Sequence, residues 1–245
     1  MKKPVISTLL AIGGSVVYAL AGNANRRAAK GRRRAADKVQ LESPDPMRNF
    51  MTYFIMPAWF AAGVVDYLWH RHSKIETTSG LNESLIHSLM MMETAPVVLG
   101  GLFLEMNPGA IALLIGSTVA HEATTIWDTL FTVPRRVISS GEQHTHSVLE
   151  MVPFCVTTAA ICTNWDQFLA LLGRGGGQRN MALRLKRPPV PAPHIGAVIA
   201  GMILFGALPH ADEIWRCWRA QAQGLTGRDT PECARELFGP AHNAA

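Results

Sequence analysis

This sequence is short of charge. Asp, Glu, Lys and Arg make up 17% of its 245 residues, against roughly 25% in an average soluble domain. Aromatic residues stop at 7%, and the four cysteines form no C-x-x-C pair. Few charges beside 48% apolar residues exclude a disordered tail and a coiled coil, and four cysteines in a chain of this length exclude a disulfide-built module. Also missing are a Walker loop, a G-x-G-x-x-G turn and an H-E-x-x-H helix; His121-Glu122 opens like the last of these, but position 125 is Thr.

What is there is charge gathered between apolar runs. The net charge of +5 and pI near 9.3 would suit nucleic acid if spread over a face. Instead, of 23 Lys and Arg, seven lie between Arg26 and Lys38 and five between Arg174 and Arg187. That is a membrane pattern and argues against a nucleic-acid partner. Six stretches approach the ~20 apolar residues a spanning helix needs: Pro4–Gly22, Met47–Trp69, Ser84–Met106, Gly109–Val133, His146–Trp165 and the shorter His194–Pro209. The fold class expected is an all-α integral membrane helix bundle of about six transmembrane helices with a four-helix core. The whole chain, 1–245, reads as a single membrane domain. Residues 4–22 form an anchor helix, 47–165 the core, 166–193 a basic flexible linker, 194–209 the last span and 210–245 an amphipathic tail. Met1-Lys2-Lys3, the apolar run and Ala19-Leu20-Ala21 also fit a cleaved signal peptide. The dense basic block beyond them resists translocation and favours an uncleaved anchor.

Lys and Arg near the spans set the orientation. The loop before the second span and the linker before the sixth hold 13, counting Arg48; the other two loops hold Arg71, Lys74, Arg135 and Arg136. The basic loops are therefore expected in the cytoplasm of a bacterial cell, with the protein in the inner membrane and the tail outside. In that oxidising compartment Cys217 and Cys233, on two short amphipathic helices, are expected to form a disulfide.

Six of the nine histidines fall between His70 and His146, with acids beside them inside apolar helices. An unpaired ionised group there costs at least ~2.5 kcal/mol. Asp66 and His70 are four apart, as are Glu83 and His87, and Glu142 and His146; His121 and Asp128 are seven apart, on one stripe. In antiparallel neighbours all four pairs come to the same side of the membrane. Asp66, His70, Glu83, His87, His121, Asp128, Glu142 and His146 are thus the candidate metal ligands. His72, Glu76, Glu93, Glu122, His144 and Glu150 are candidates for supporting them from behind, and His194, His210 and His242 are expected to be uninvolved. Carboxylate and imidazole without thiolate suit iron, with manganese or zinc as alternatives. Four-helix bundles build two-metal sites from such residues. A proton relay without metal and a structural polar network are the competing readings.

The run Asp66…His70-Arg71…Glu76…Glu83-Ser84…His87, with His121-Glu122 and Glu142-Gln143-His144…His146…Glu150, resembles a group of bacterial multi-pass membrane proteins with no established activity. Some of these have been labelled diguanylate cyclase, but this chain has no G-G-[DE]-E-F segment. At class level it also resembles integral-membrane di-iron hydroxylases and desaturases, in ligand chemistry though not in their H-x-x-H-H boxes. The functional expectation is a non-haem di-metal oxidoreductase, holding two metal ions and acting on a lipid-like substrate, with electrons from an unidentified donor. Trp69, Trp127 and Met90 are candidate channel residues. A proton- or metal-conducting transporter and a membrane scaffold with a structural metal are the alternatives.

Overall fold

A computed structural model describes residues 46–175, 177 and 179–232. The expected anchor 4–22, the basic block that follows, Cys233 and His242 lie outside the described residues. Within them the chain is an all-α membrane helix bundle. Five helices are long and apolar enough to cross a bilayer: α1 (Pro46–His72), α2 (Leu81–Phe103), α3 (Pro108–Thr132), α4 (Ser140–Thr163) and, after the short α5 (Trp165–Leu171), α6 (Ala192–Ala222). Their outer surface is apolar. Tyr53, Phe54, Val119, Ile126, Leu130 and Phe154 are each more than 60% exposed, a surface that water penalises and hydrocarbon does not.

Helix starts follow local chemistry. Asn107 accepts a hydrogen bond from Ala110 N at 2.9 Å while Pro108 takes the first position of α3, where its missing N–H costs nothing. Ser139 caps α4 by accepting from Glu142 N at 3.1 Å. Gly80, with φ of 73°, turns the chain into α2, a backbone conformation that side chains disfavour.

The five spans form a ring in the order α1, α4, α3, α2, α6 and back to α1. The last span is the correction here. It was expected to end at Pro209 and pack outside a four-helix core. It continues to Ala222, because 208–222 keep helical phase after the apolar run ends, and it closes the ring between α1 and α2. A π-helical stretch, Ile203–Ala207, lies where it meets α1. The contact is close: a Cβ on Gly201 would stand 2.3 Å from Phe60 Cε2. Gly201→Leu should therefore destabilise the bundle by ~1–3 kcal/mol, measured as a fall in thermal stability in detergent.

The linker also differs from expectation. Part of it is strapped across the α2–α3 turn, with Lys186 N donating to Phe103 O at 2.8 Å, Glu105 N to Arg184 O at 2.9 Å and Asn107 Nδ2 to Ala182 O at 2.7 Å. The Lys186 ammonium donates to Gly101 O. The apolar core of Val98, Leu102 and Val198 sits at this end of the bundle. The opposite end, beneath the α1–α2 and α3–α4 loops, is where the polar residues gather.

Candidate metal centre

Arg136 organises the loop end of the bundle. The α3–α4 loop turns inward as Arg136 N bonds back to Thr132 O at 3.0 Å, and its side chain is 1% exposed. Nε donates to Glu83 Oε1 and Oε2 at 3.1 and 3.2 Å, Nη2 to Glu83 Oε1 at 2.6 Å and Nη1 to Glu142 Oε1 at 2.5 Å. Both carboxylates sit in the first turn of their helix, where the backbone dipole favours negative charge. Burial works against the guanidinium charge, but Glu83 and Glu142 more than offset it and hold the pKa above its ordinary value. Glu83 and Glu142 were expected to face metal. They are instead committed first to Arg136, although Glu83 Oε1 still lies 3.9 Å from His87 Nε2 and Glu142 Oε1 3.6 Å from His70 Nε2.

Around this clamp the imidazoles converge. His70 and His87 stack, ring centroids 4.9 Å apart. Between them comes Glu213 from α6: Oε2 is 2.7 Å from His70 Nδ1, and Oε1 accepts from Ser84 Oγ at 2.7 Å and lies 3.6 Å from His87 Nδ1. His87 Nε2 is 3.4 Å from Asp128 Oδ2. On the other side, His146 Nε2 lies 2.9 Å from Asp66 Oδ1, off the direction of a hydrogen bond, and Asp66 Oδ2 is 3.7 Å from His70 Nε2. Asp66 Oδ1 and His70 Nε2 are buried without any hydrogen-bond partner. Three overlapping groups have donor atoms all within 4.8 Å of one another: Asp66, His70 and His146; His70, His87 and Glu213; and Glu83, His87 and Asp128. These groups could hold metal ions. Buried polar atoms ordinarily find partners, so two unpaired atoms, on residues that share a donor group with His146, fit a cation there.

The charge balance points the same way. Asp66, Glu83, Asp128, Glu142 and Glu213 bring five negative charges. Arg136 offsets one, leaving four. Two divalent cations would match them, as would protons on the surrounding histidines.

Seven of the eight candidate ligands are brought together; His121 is not. It is buried, but its Nδ1 lies 3.2 Å from Thr94 Oγ1 and 3.2 Å from Met90 O. It occupies the same stripe as Asp128 but two turns deeper, which places it beyond the cluster. Glu93 is deeper too, accepting from Thr124 Oγ1 at 2.8 Å. His72 and His144 are exposed, and Glu122 and Glu150 are half-buried. Glu76 bonds Arg216 at 2.5 Å on the surface side of α6. Trp127 faces outward, Trp69 packs on Gly141, and Met90 lines the cavity.

Two residues escaped the sequence reading, and a third, His210, departs from the expectation that it is uninvolved. Glu213 sits past the end assigned to the last span. Arg136 looked like an ordinary loop charge. His210 joins Ser88 Oγ at 2.8 Å and lies 3.9 Å from Glu213 Oε1. The signal for His210 and Glu213 was present: they are three apart, one helical turn, just beyond an apolar run. The thiol of Cys217 is buried beside Ser84, while its expected partner Cys233 lies outside the described residues.

The cluster forms one end of a cavity of about 200 Å³. Asp66, His70, His87, Asp128, His146 and Glu213 line the polar end; Trp59, Phe60, Met90, Met91, Met202 and Phe205 make much of the remaining wall apolar, with Thr94, His121, Thr125 and Glu150 among them. No protein-family model, no curated protein and no solved structure matches the chain. The side chains themselves carry the functional reading.

Proposed function

We propose that the protein is an integral-membrane, non-haem di-metal oxidoreductase, with iron as the preferred metal, acting on a lipid-like substrate in a bacterial inner membrane. The supporting observation is a cluster of carboxylates and imidazoles in which Asp66 Oδ1 and His70 Nε2 have no hydrogen-bond partner, with a formal excess of four carboxylates over Arg136, at the polar end of a cavity among membrane helices. Asp66, His70 and His146 would hold one ion; His87 and Asp128, with Glu213 reaching between His70 and His87, would hold the second. Iron bound by such oxygen and nitrogen donors with open positions supplies oxygen activation. The chain's own contribution is positional. Arg136 fixes α2 against α4, Glu213 orients the two stacked imidazoles, and the apolar lining excludes water and receives a hydrocarbon chain. Electrons come from a separate donor.

In nanodiscs the iron-loaded protein should consume oxygen when given a reductant and a lipid extract, and His87→Ala should not. A protein that keeps its iron yet shows no lipid-dependent uptake would count against the enzyme. The direct His70–Glu213 contact favours a second reading, a proton-conducting network, which predicts proton flux in metal-free protein. Orientation has its own test: in a Cys233→Ser background, Lys74→Cys should react with an impermeant maleimide in intact cells, and Cys162 only after permeabilisation.

A further inference from the structure

His121 stands in the wall of the cavity without belonging to the metal cluster, and its hydrogen bonds fix its tautomer. Thr94 Oγ1 donates to Met90 O at 3.0 Å. With that proton spent, both neighbours of His121 Nδ1, the Thr94 hydroxyl oxygen and the Met90 carbonyl, are acceptors, each at 3.2 Å. Nδ1 therefore carries the ring proton, and in a neutral imidazole Nε2 is then a bare acceptor. Nε2 has no hydrogen-bond partner among the described residues. The Nδ1 edge is spent on α2, which leaves the Nε2 edge to the cavity that His121 lines.

Its position sets a distance. His121 and Asp128 are seven residues apart on α3, about 10 Å along the axis. The cavity runs further, from Trp59 to His70 along α1 and from Met202 to Glu213 along α6, about 16 Å on each helix. Its volume of about 200 Å³ exceeds the ~150 Å³ of an apolar cavity that takes up benzene. Thr94, Thr125, Thr129 and Glu150 line the cavity too, but the three hydroxyls spend their protons on backbone carbonyls of their own helices. An apolar ligand filling the cavity would seal His121 Nε2 from water, and an acceptor sealed off unpaired is costly, so the site favours a ligand with a donor there.

We propose that the cavity binds an apolar molecule bearing a hydroxyl group, which donates to His121 Nε2 and so places a carbon about 10 Å away against the His70–His87 cluster. This names the substrate class of the site proposed above and rests on that reading for its consequence, though not for the binding itself. In it His121 is a binding residue that sets the register of the substrate.

The test uses full-length protein in detergent and three probes: 1-dodecanol, its methyl ether and dodecane. Each competes with a brominated dodecanol that quenches tryptophan fluorescence, Trp59 lying in the cavity wall. The alcohol should bind about tenfold tighter than the ether, the scale of one buried hydrogen bond. His121→Phe should bring the alcohol down to the affinity of the ether and leave the ether unchanged, and His121→Gln, which keeps an acceptor, should restore part of the preference. Equal affinities for alcohol and ether in the unmodified protein, a comparison needing no variant, would overturn the proposal, as would a preference that survives in His121→Phe. Metal content is measured on the same samples. Alcohol preference in protein that binds no metal would remove the enzyme reading and keep this one; full metal content without the preference would do the reverse.

Discussion

Arg136→Gln should destabilise the protein by ~3–5 kcal/mol, the scale of breaking a buried ion pair from one side. The substitution leaves Glu83 and Glu142 buried at 0% and 1% exposure with no cation between them, and an uncompensated buried charge is far costlier than a missing attraction. The triple variant Arg136→Met, Glu83→Gln, Glu142→Gln removes every charge of the clamp and should recover much of the loss. Thermal unfolding in detergent checks both arms. If Arg136→Gln unfolds like the unmodified protein, the guanidinium is not what holds α2 to α4. If the triple variant is no better than the single one, the penalty lies in packing and not in charge.

The second large effect concerns metal. His87→Ala should lower metal affinity by at least the ~10–100-fold typical of losing even a supporting partner, because His87 belongs to two of the three donor groups. Glu213→Gln should act the same way, since its carboxylate approaches both imidazoles. His121→Ala should keep full metal content, its Nδ1 being engaged with helix α2. Metal titration of the refolding-competent, detergent-purified variants reads all three. Equal loss in His87→Ala and His121→Ala would place His121 back among the ligands.

Much of this arrangement was legible in the sequence because membrane helices obey strong local rules. Apolar length marked the spans, and i, i+4 pairs of acid and histidine marked the faces that turn inward. Antiparallel order then put Asp66, His70, Glu83, His87, Asp128, Glu142 and His146 at one end. The misses have physical reasons. Helix α6 runs on as an amphipathic helix after its apolar stretch ends, so hydropathy cut it short of Glu213. Arg136 was counted by charge alone, and only the tertiary structure shows that it turns inward between two first-turn carboxylates. His121 shared a stripe with Asp128, but a stripe gives the direction of a side chain and not the depth at which partners from other helices meet it. The linker held enough Gly and Pro to read as free, yet its backbone pairs across the α2–α3 turn, which no local pattern encodes.

The most direct test of the central claim is the metal content of full-length protein purified anaerobically in mild detergent without chelator, by elemental mass spectrometry against protein concentration. The account predicts about two transition-metal ions per chain, mainly iron, as a paired site requires, with the content falling sharply in His87→Ala. A chain that carries no stoichiometric metal, and takes up none when iron, manganese or zinc is offered, would contradict it. The buried carboxylates and histidines would then be balanced by protons alone.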